Sequence, residues 1–140
     1  MGGTPALIVH GRGDANLALN HTSRPYFGLN RVVEGEASSL RYYEIVNAQH
    51  LDALLPLRGF AAAFIPLHRY FSEALNLMWN HLTEGARLPP SQVVRPEPRG
   101  RAGEDGAVPP FTLENLPPIE QAPAPGERLT FEDGEVFVPE

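Results

Sequence analysis

The chain has 140 residues, 17 acidic against 11 basic side chains for a formal net charge of −6, 42% hydrophobic residues and no cysteine. A chain of that length ordinarily holds one domain, but fifteen prolines and thirteen glycines argue against a single compact globule; the absence of any basic stretch argues against a nucleic-acid partner; and the lack of thiols excludes disulfides and thiolate metal sites. No apolar run approaches the roughly 20 residues of a membrane span, so no membrane association is expected, and MGGTPALIVH carries no charged leader.

Residues 5–14, PALIVHGRGD, open the chain as a short apolar strand, 6–10, running into a glycine-broken turn. An apolar run closed by glycine is the pattern of a buried parallel strand. Gly11 and Gly13 are expected to turn the backbone through positive φ. Asp14 then lies just past the carboxyl end of the strand, where open α/β sheets place their functional side chains. After a loop, Thr22 or Ser23 caps a short helix with Pro25 in its first turn. Tyr26, Phe27, Leu29, Val32 and Val33 are its expected buried side. A second strand follows over residues 40–46, LRYYEIV, and Asn47-Ala48-Gln49 leads to His50. On this second strand His50 occupies the place that Asp14 holds on the first. Strand, helix and strand within about forty residues fit a right-handed crossover.

A second, longer helix is expected from residue 66 to about 83. Leu67, Phe71, Leu75, Met78 and Leu82 recur there at spacings of four and three, a stripe facing a core, and Gly85 is its stop. Beyond it the composition changes: eleven of the fifteen prolines lie after residue 85. Residues 86–140 read as a Pro/Gly-rich extension, lying across the α/β part formed by residues 1–85 and ending in a small hairpin about Asp133-Gly134, the alternative being a disordered extension.

Asp14 and His50 are the candidate catalytic residues. Asp followed by His on neighbouring strand ends gives the last two members of a Ser…Asp…His triad in the chain order of α/β-hydrolases. The chemistry needs an imidazole to move the nucleophile's proton and a carboxylate to fix its tautomer and stabilise the imidazolium. Taken singly, Asp14 reads equally as an Asx-turn residue and His50 as a surface histidine. Arg12-Gly13-Asp14 matches a cell-adhesion tripeptide by coincidence, lying in a tight turn beside a buried strand, and Asn20-His21-Thr22 is a glycosylation sequon only in a secretory eukaryotic context. His50-x-Asp52 offers two metal ligands without a third, and Gly11-x-Gly13 lacks the third glycine of a dinucleotide fingerprint, so neither a metal nor a cofactor is expected. The nucleophile is missing: none of Ser23, Ser38, Ser39, Ser72 and Ser91 sits in a G-x-S-x-G elbow. The expectation is therefore the C-terminal end of a larger enzyme, inactive alone and completed by its missing N-terminal part.

PALIVHGRGD, NHTSRPYFGLN, LRYYEIVNAQHLDA and FIPLHRYFSEALNLMWNHLTEGARLPPSQVVR resemble the C-terminal part of the 3-hydroxybutyrate oligomer hydrolases. The likeness covers most of residues 4–95 and extends more loosely into the tail. It implies an α/β-hydrolase fold, a serine-esterase mechanism on short oligomers of 3-hydroxybutyrate, and a secreted or periplasmic location, a cytoplasmic one being the alternative. A feruloyl-esterase-like hydrolase fragment and a non-catalytic module with a partner-binding Pro-rich tail are the rival readings.

Overall fold

Side-chain parity along two short apolar runs builds the architecture seen in a computed structural model, which describes residues 3–57 and 59–140. The runs form β1 (Ala6–Gly11) and β2 (Leu40–Ile45), paired in parallel with Leu7 opposite Arg41 and His10 opposite Glu44. Successive side chains on a strand point to opposite faces. Ala6, Ile8, Leu40 and Tyr42 thus gather with Phe27 of helix α1 (Ser23–Glu34) on one face. Leu7, Val9, Tyr43 and Ile45 gather on the other. After the one-turn α2 (Phe60–Ala63), that face is covered by Leu67, Tyr70 and Leu77 of α3 (Leu67–Glu84). Tyr42, Tyr43 and Tyr70 are wholly buried, and each such side chain contributes about 1.5–3 kcal/mol of apolar burial. Their hydroxyls are all satisfied, by Glu44, the Pro89 carbonyl and the Pro117 carbonyl.

The third strand comes from the Pro-rich segment. β3 (Gln92–Val94) lies parallel to β2, giving the order β1-β2-β3, whereas the composition after residue 85 suggests no strand before the hairpin. The physical reason is that proline removes N–H donors but leaves carbonyls needing partners. Here side chains reach over to them: Tyr43 to Pro89, Asn47 to Pro96 at 3.0 Å, and Tyr70 to Pro117 at 2.9 Å. The Gln92 carboxamide donates to the Glu120 carbonyl and accepts its N–H. So anchored, the tail buries Ile119 and Leu129. It ends in a hairpin, β4 (Thr130–Glu132) and β5 (Glu135–Phe137), whose turn has positive φ at Asp133 and Gly134. That is the two-residue turn that Asp-Gly favours.

Both helices turn their apolar arcs differently from expectation. α1 buries Phe27, Gly28 and Asn30 but exposes Tyr26, Leu29, Val32 and Val33. α3 buries Tyr70 and Ala74, with Leu67 and Leu77 packed beside them, and leaves Phe71, Leu75, Trp79 and Leu82 exposed. Periodicity locates an apolar arc without saying which of its edges meets the sheet. A sheet of three strands covers only part of each arc. Gly85, with φ of 70°, ends α3 in the left-handed conformation as expected.

Candidate active site

The turns leaving β1 and β2 are bound to each other, which brings the two strand-end residues together. The Arg12 N–H donates to the Ile45 carbonyl at 2.7 Å and the Gly13 N–H to that of Ala48 at 2.9 Å. Neither Gly11 nor Gly13 takes positive φ, contrary to the sequence expectation. Glycine is needed for closeness instead. A Cβ on Gly11 would lie 2.5 Å from the Ala48 oxygen, and one on Gly13 3.0 Å from that oxygen and from the Phe64 ring. Because the obstruction at Gly11 is backbone, Gly11→Ala is expected to cost about 1–3 kcal/mol in a denaturant titration and to part the two turns. An unchanged midpoint would contradict this close-approach account.

Asp14 is inside this junction, its side chain 0% exposed. Its Oδ1 accepts the N–H groups of Asn16 at 2.8 Å and Leu17 at 2.9 Å. Its Oδ2 accepts from two imidazoles, His50 Nδ1 at 2.8 Å and His10 Nε2 at 3.0 Å. Burial pushes the Asp14 carboxyl up, but the Leu17 and Asn16 amides and the two histidines outweigh it and hold it below the usual aspartate value. The Asx-turn and the imidazole-partner readings of Asp14 therefore both describe it, one per oxygen.

The two histidines differ in what they leave free. His50, its side chain 37% exposed, spends Nδ1 on Asp14, and no described residue bonds its Nε2. His10 has both nitrogens engaged, Nε2 on Asp14 and Nδ1 on Ser23 Oγ at 2.8 Å. Ser23, His10 and Asp14 thus form a serine–histidine–aspartate series that sequence reading missed. The signal for it was parity: His10 belongs to the inward-facing set of Ala6 and Ile8, four residues before Asp14. Ser23, however, is 6% exposed and its hydroxyl is bound to Tyr42 Oη at 2.9 Å. A hydroxyl held in the interior in this way cannot approach an ester carbonyl. Of the other serines, Ser38 is bonded to Asn30 and Ser91 to the Tyr42 N–H. None hydrogen-bonds His50.

Behind the site, Glu44 is wholly buried and accepts from Arg24 Nη2 at 2.6 Å, Arg24 Nε at 3.0 Å, Tyr42 Oη at 2.9 Å and Arg12 Nε. Arg12 and Asp14 are therefore turned into the fold, and the Arg12-Gly13-Asp14 tripeptide is not displayed. Asp52 caps α3, accepting the N–H groups of Leu67 at 2.8 Å and His68 at 2.9 Å, so it is not a partner of His50. His81 bonds the Ala86 carbonyl, while His21 and His68 are exposed. Among the described residues no three His, Asp or Glu side chains form a group that could hold a metal ion, and no helix is long and apolar enough to cross a membrane.

The arrangement can do one half of acyl-transfer chemistry. A carboxylate fixes an imidazole through Nδ1, and Nε2 of this partly exposed side chain, with no described partner, is free to accept a proton.

Comparison with known proteins adds a family. The model of the 3HB-oligomer hydrolases matches residues 1–140. Similar curated proteins are called D-(-)-3-hydroxybutyrate oligomer hydrolase. One from Paraburkholderia xenovorans (strain LB400) is 53% identical over 137 residues, covering 98% of this chain and 19% of that protein. Those from Burkholderia mallei (strain SAVP1) and Burkholderia pseudomallei (strain 668) are each 56% identical over 119 residues, 85% of this chain and 17% of theirs. The chain thus spans less than a fifth of the length of the curated relatives it matches. No solved structure matches it.

Proposed function

This chain belongs to the 3HB-oligomer hydrolase family, and from that premise we propose that it supplies the acid and base of an α/β-hydrolase-type serine esterase. The single observation behind the proposal is the 2.8 Å bond from His50 Nδ1 to buried Asp14, with Nε2 left bare. A serine from the remaining polypeptide attacks the ester carbonyl of a 3-hydroxybutyrate oligomer while His50 Nε2 takes its proton. The tetrahedral intermediate collapses as His50 gives that proton to the departing alkoxide, which leaves as an alcohol. Water, deprotonated by the same nitrogen, then releases the hydroxybutyryl group as the acid, and His50 returns the proton to the serine oxygen. Throughout, Asp14 stays ionised and stabilises the imidazolium.

Three features support a role as part of a larger body. β1 is an edge strand with one side unpaired among the described residues, and a parallel sheet is ordinarily covered on both faces and continued by further strands. Leu7 and Val9 of that edge share an open apolar groove with Phe71, Leu75 and Met78 of α3. Finally, Trp79 and Leu82 are each 67% exposed, an apolar surface that a free-standing protein would cover. In this reading residues 1–85 carry the acid and base, and residues 86–140 brace the sheet from behind.

The 140-residue chain by itself is expected to show no turnover of 3-hydroxybutyrate dimers or trimers, because Asp14 and His50 without a nucleophile form no acyl-enzyme. Hydrolysis above a heat-killed control, abolished by a serine-directed phosphonate, would contradict that assignment.

A further inference from the structure

A row of polar groups on the α1 face of the sheet links the site to a second carboxylate deep in the fold, and its protons can be counted. Glu44 lies at the far end. Burial pushes its carboxyl up, but Arg24 and Arg12 outweigh that and keep it ionised, so it only accepts. Tyr42, whose hydroxyl burial keeps protonated, gives its single proton to Glu44 Oε2 at 2.9 Å. The Tyr42 oxygen can then only accept from Ser23, 2.9 Å away, and Ser23 gives its single proton there. Ser23 Oγ is left to accept from His10 Nδ1 at 2.8 Å. At the ring's other end, Nε2 is 3.0 Å from Asp14 Oδ2, a carboxylate oxygen that also only accepts. With Glu44 and Asp14 both ionised, a His10 carrying a single proton sets two lone pairs against each other somewhere along the row, leaving a buried polar group unsatisfied.

We propose that His10 is a positioning residue for Asp14, protonated on both ring nitrogens, held by the Ser23–Tyr42–Glu44 row at Nδ1 and clamping Asp14 Oδ2 through Nε2. The charged and titratable groups around it are Asp14 and His50 at the strand ends, Tyr42 and Glu44 on β2, Arg24 on α1 and Arg12 in the turn after β1. With Oδ1 held by two backbone amides and Oδ2 by His10, the carboxylate cannot swing. His50 therefore meets a fixed acceptor, which keeps its proton on Nδ1 and its Nε2 bare. His10 acts through Asp14 and touches no substrate. Its importance for hydrolysis rests on the proposed roles of Asp14 and His50, whereas its proton count does not.

Nitrogen-15 NMR of the 140-residue chain at neutral pH reads the proton on each imidazole nitrogen directly. The expected spectrum has His10 protonated at both. In Tyr42→Phe, Ser23 loses its acceptor and turns its proton toward His10 Nδ1. His10 then loses one proton and keeps only the one on Nε2. A bare nitrogen on His10 in the unaltered chain, or a Tyr42→Phe spectrum with His10 still doubly protonated, overturns the proposal. If Tyr42→Phe does not fold, the unaltered chain decides alone. No hydrolysis is measured, so a failed esterase assignment and a failed proton count remain separable.

Discussion

His50→Ala is expected to abolish nearly all hydrolysis of 3-hydroxybutyrate trimers in an enzyme where this segment replaces its counterpart in the Paraburkholderia xenovorans relative. The loss follows from the site: His50 alone presents an unbonded imidazole nitrogen beside a buried carboxylate, and no other described histidine does so. Asp14→Asn keeps the shape but removes the charge of the acceptor shared by both imidazoles, so the imidazolium is unsupported and its tautomer wrong. The same change in a serine protease lowers turnover by roughly 10⁴, and a loss of that order or somewhat less is expected here. His21→Ala, His68→Ala and His81→Ala should alter the rate by less than about tenfold, since exposed and helix-borne side chains of this kind mainly perturb local packing. Thermal melts establish first that each variant is folded. If His50→Ala retains most activity while another histidine variant loses it, the base has been misassigned.

The largest effect on stability is expected at Glu44. Glu44→Gln removes the charge that Arg12 and Arg24 face in a place where Glu44 is 0% exposed. Breaking a buried pair by removing one partner typically costs 3–5 kcal/mol. The two guanidiniums are 23% and 26% exposed and recover some hydration, so a loss of about 3 kcal/mol, at the low end, is expected. The pH dependence follows the same charges. Glu44 and Asp14 are both held below their ordinary values of 4.5 and 3.8. Their contribution is complete above those ordinary values and is withdrawn as the pH falls through the lowered ones, where the unfolded chain binds more protons than the folded one. Denaturant midpoints should therefore fall steeply below pH 4.5 in the unaltered chain and less steeply in Glu44→Gln. Parallel curves for the two proteins would remove Glu44 from the account.

What the sequence disclosed was whatever depends on neighbours along the chain. Two apolar runs closed by turn residues gave the parallel pair, and their matching ends gave the adjacency of Asp14 and His50. Asp133-Gly134 gave the hairpin, and Gly85 the end of α3. What it hid depends on distant partners. Gln92–Val94 becomes a strand because β2 offers it an edge and because side chains such as Asn47 and Tyr70 take up carbonyls that the prolines leave bare. Gly11 looked like a turn residue and proved to be a point of contact with Ala48, thirty-seven residues away by numbering. His10 looked like the last residue of an apolar strand. Only the pairing that sets it opposite Glu44, with Ser23 above, makes it part of a polar row. The helix stripes were visible, but which of their edges the sheet would cover was not.

If this segment holds the base and acid, the nucleophile lies elsewhere in the family's longer polypeptide. Labelling the grafted enzyme with a serine-directed fluorophosphonate and locating the adduct by mass spectrometry tests it in one step. A single adduct is expected, on a serine outside the 140 residues, and it is expected to be lost when His50→Ala removes the base. An adduct on Ser23, or undiminished labelling in the His50→Ala protein, would contradict it.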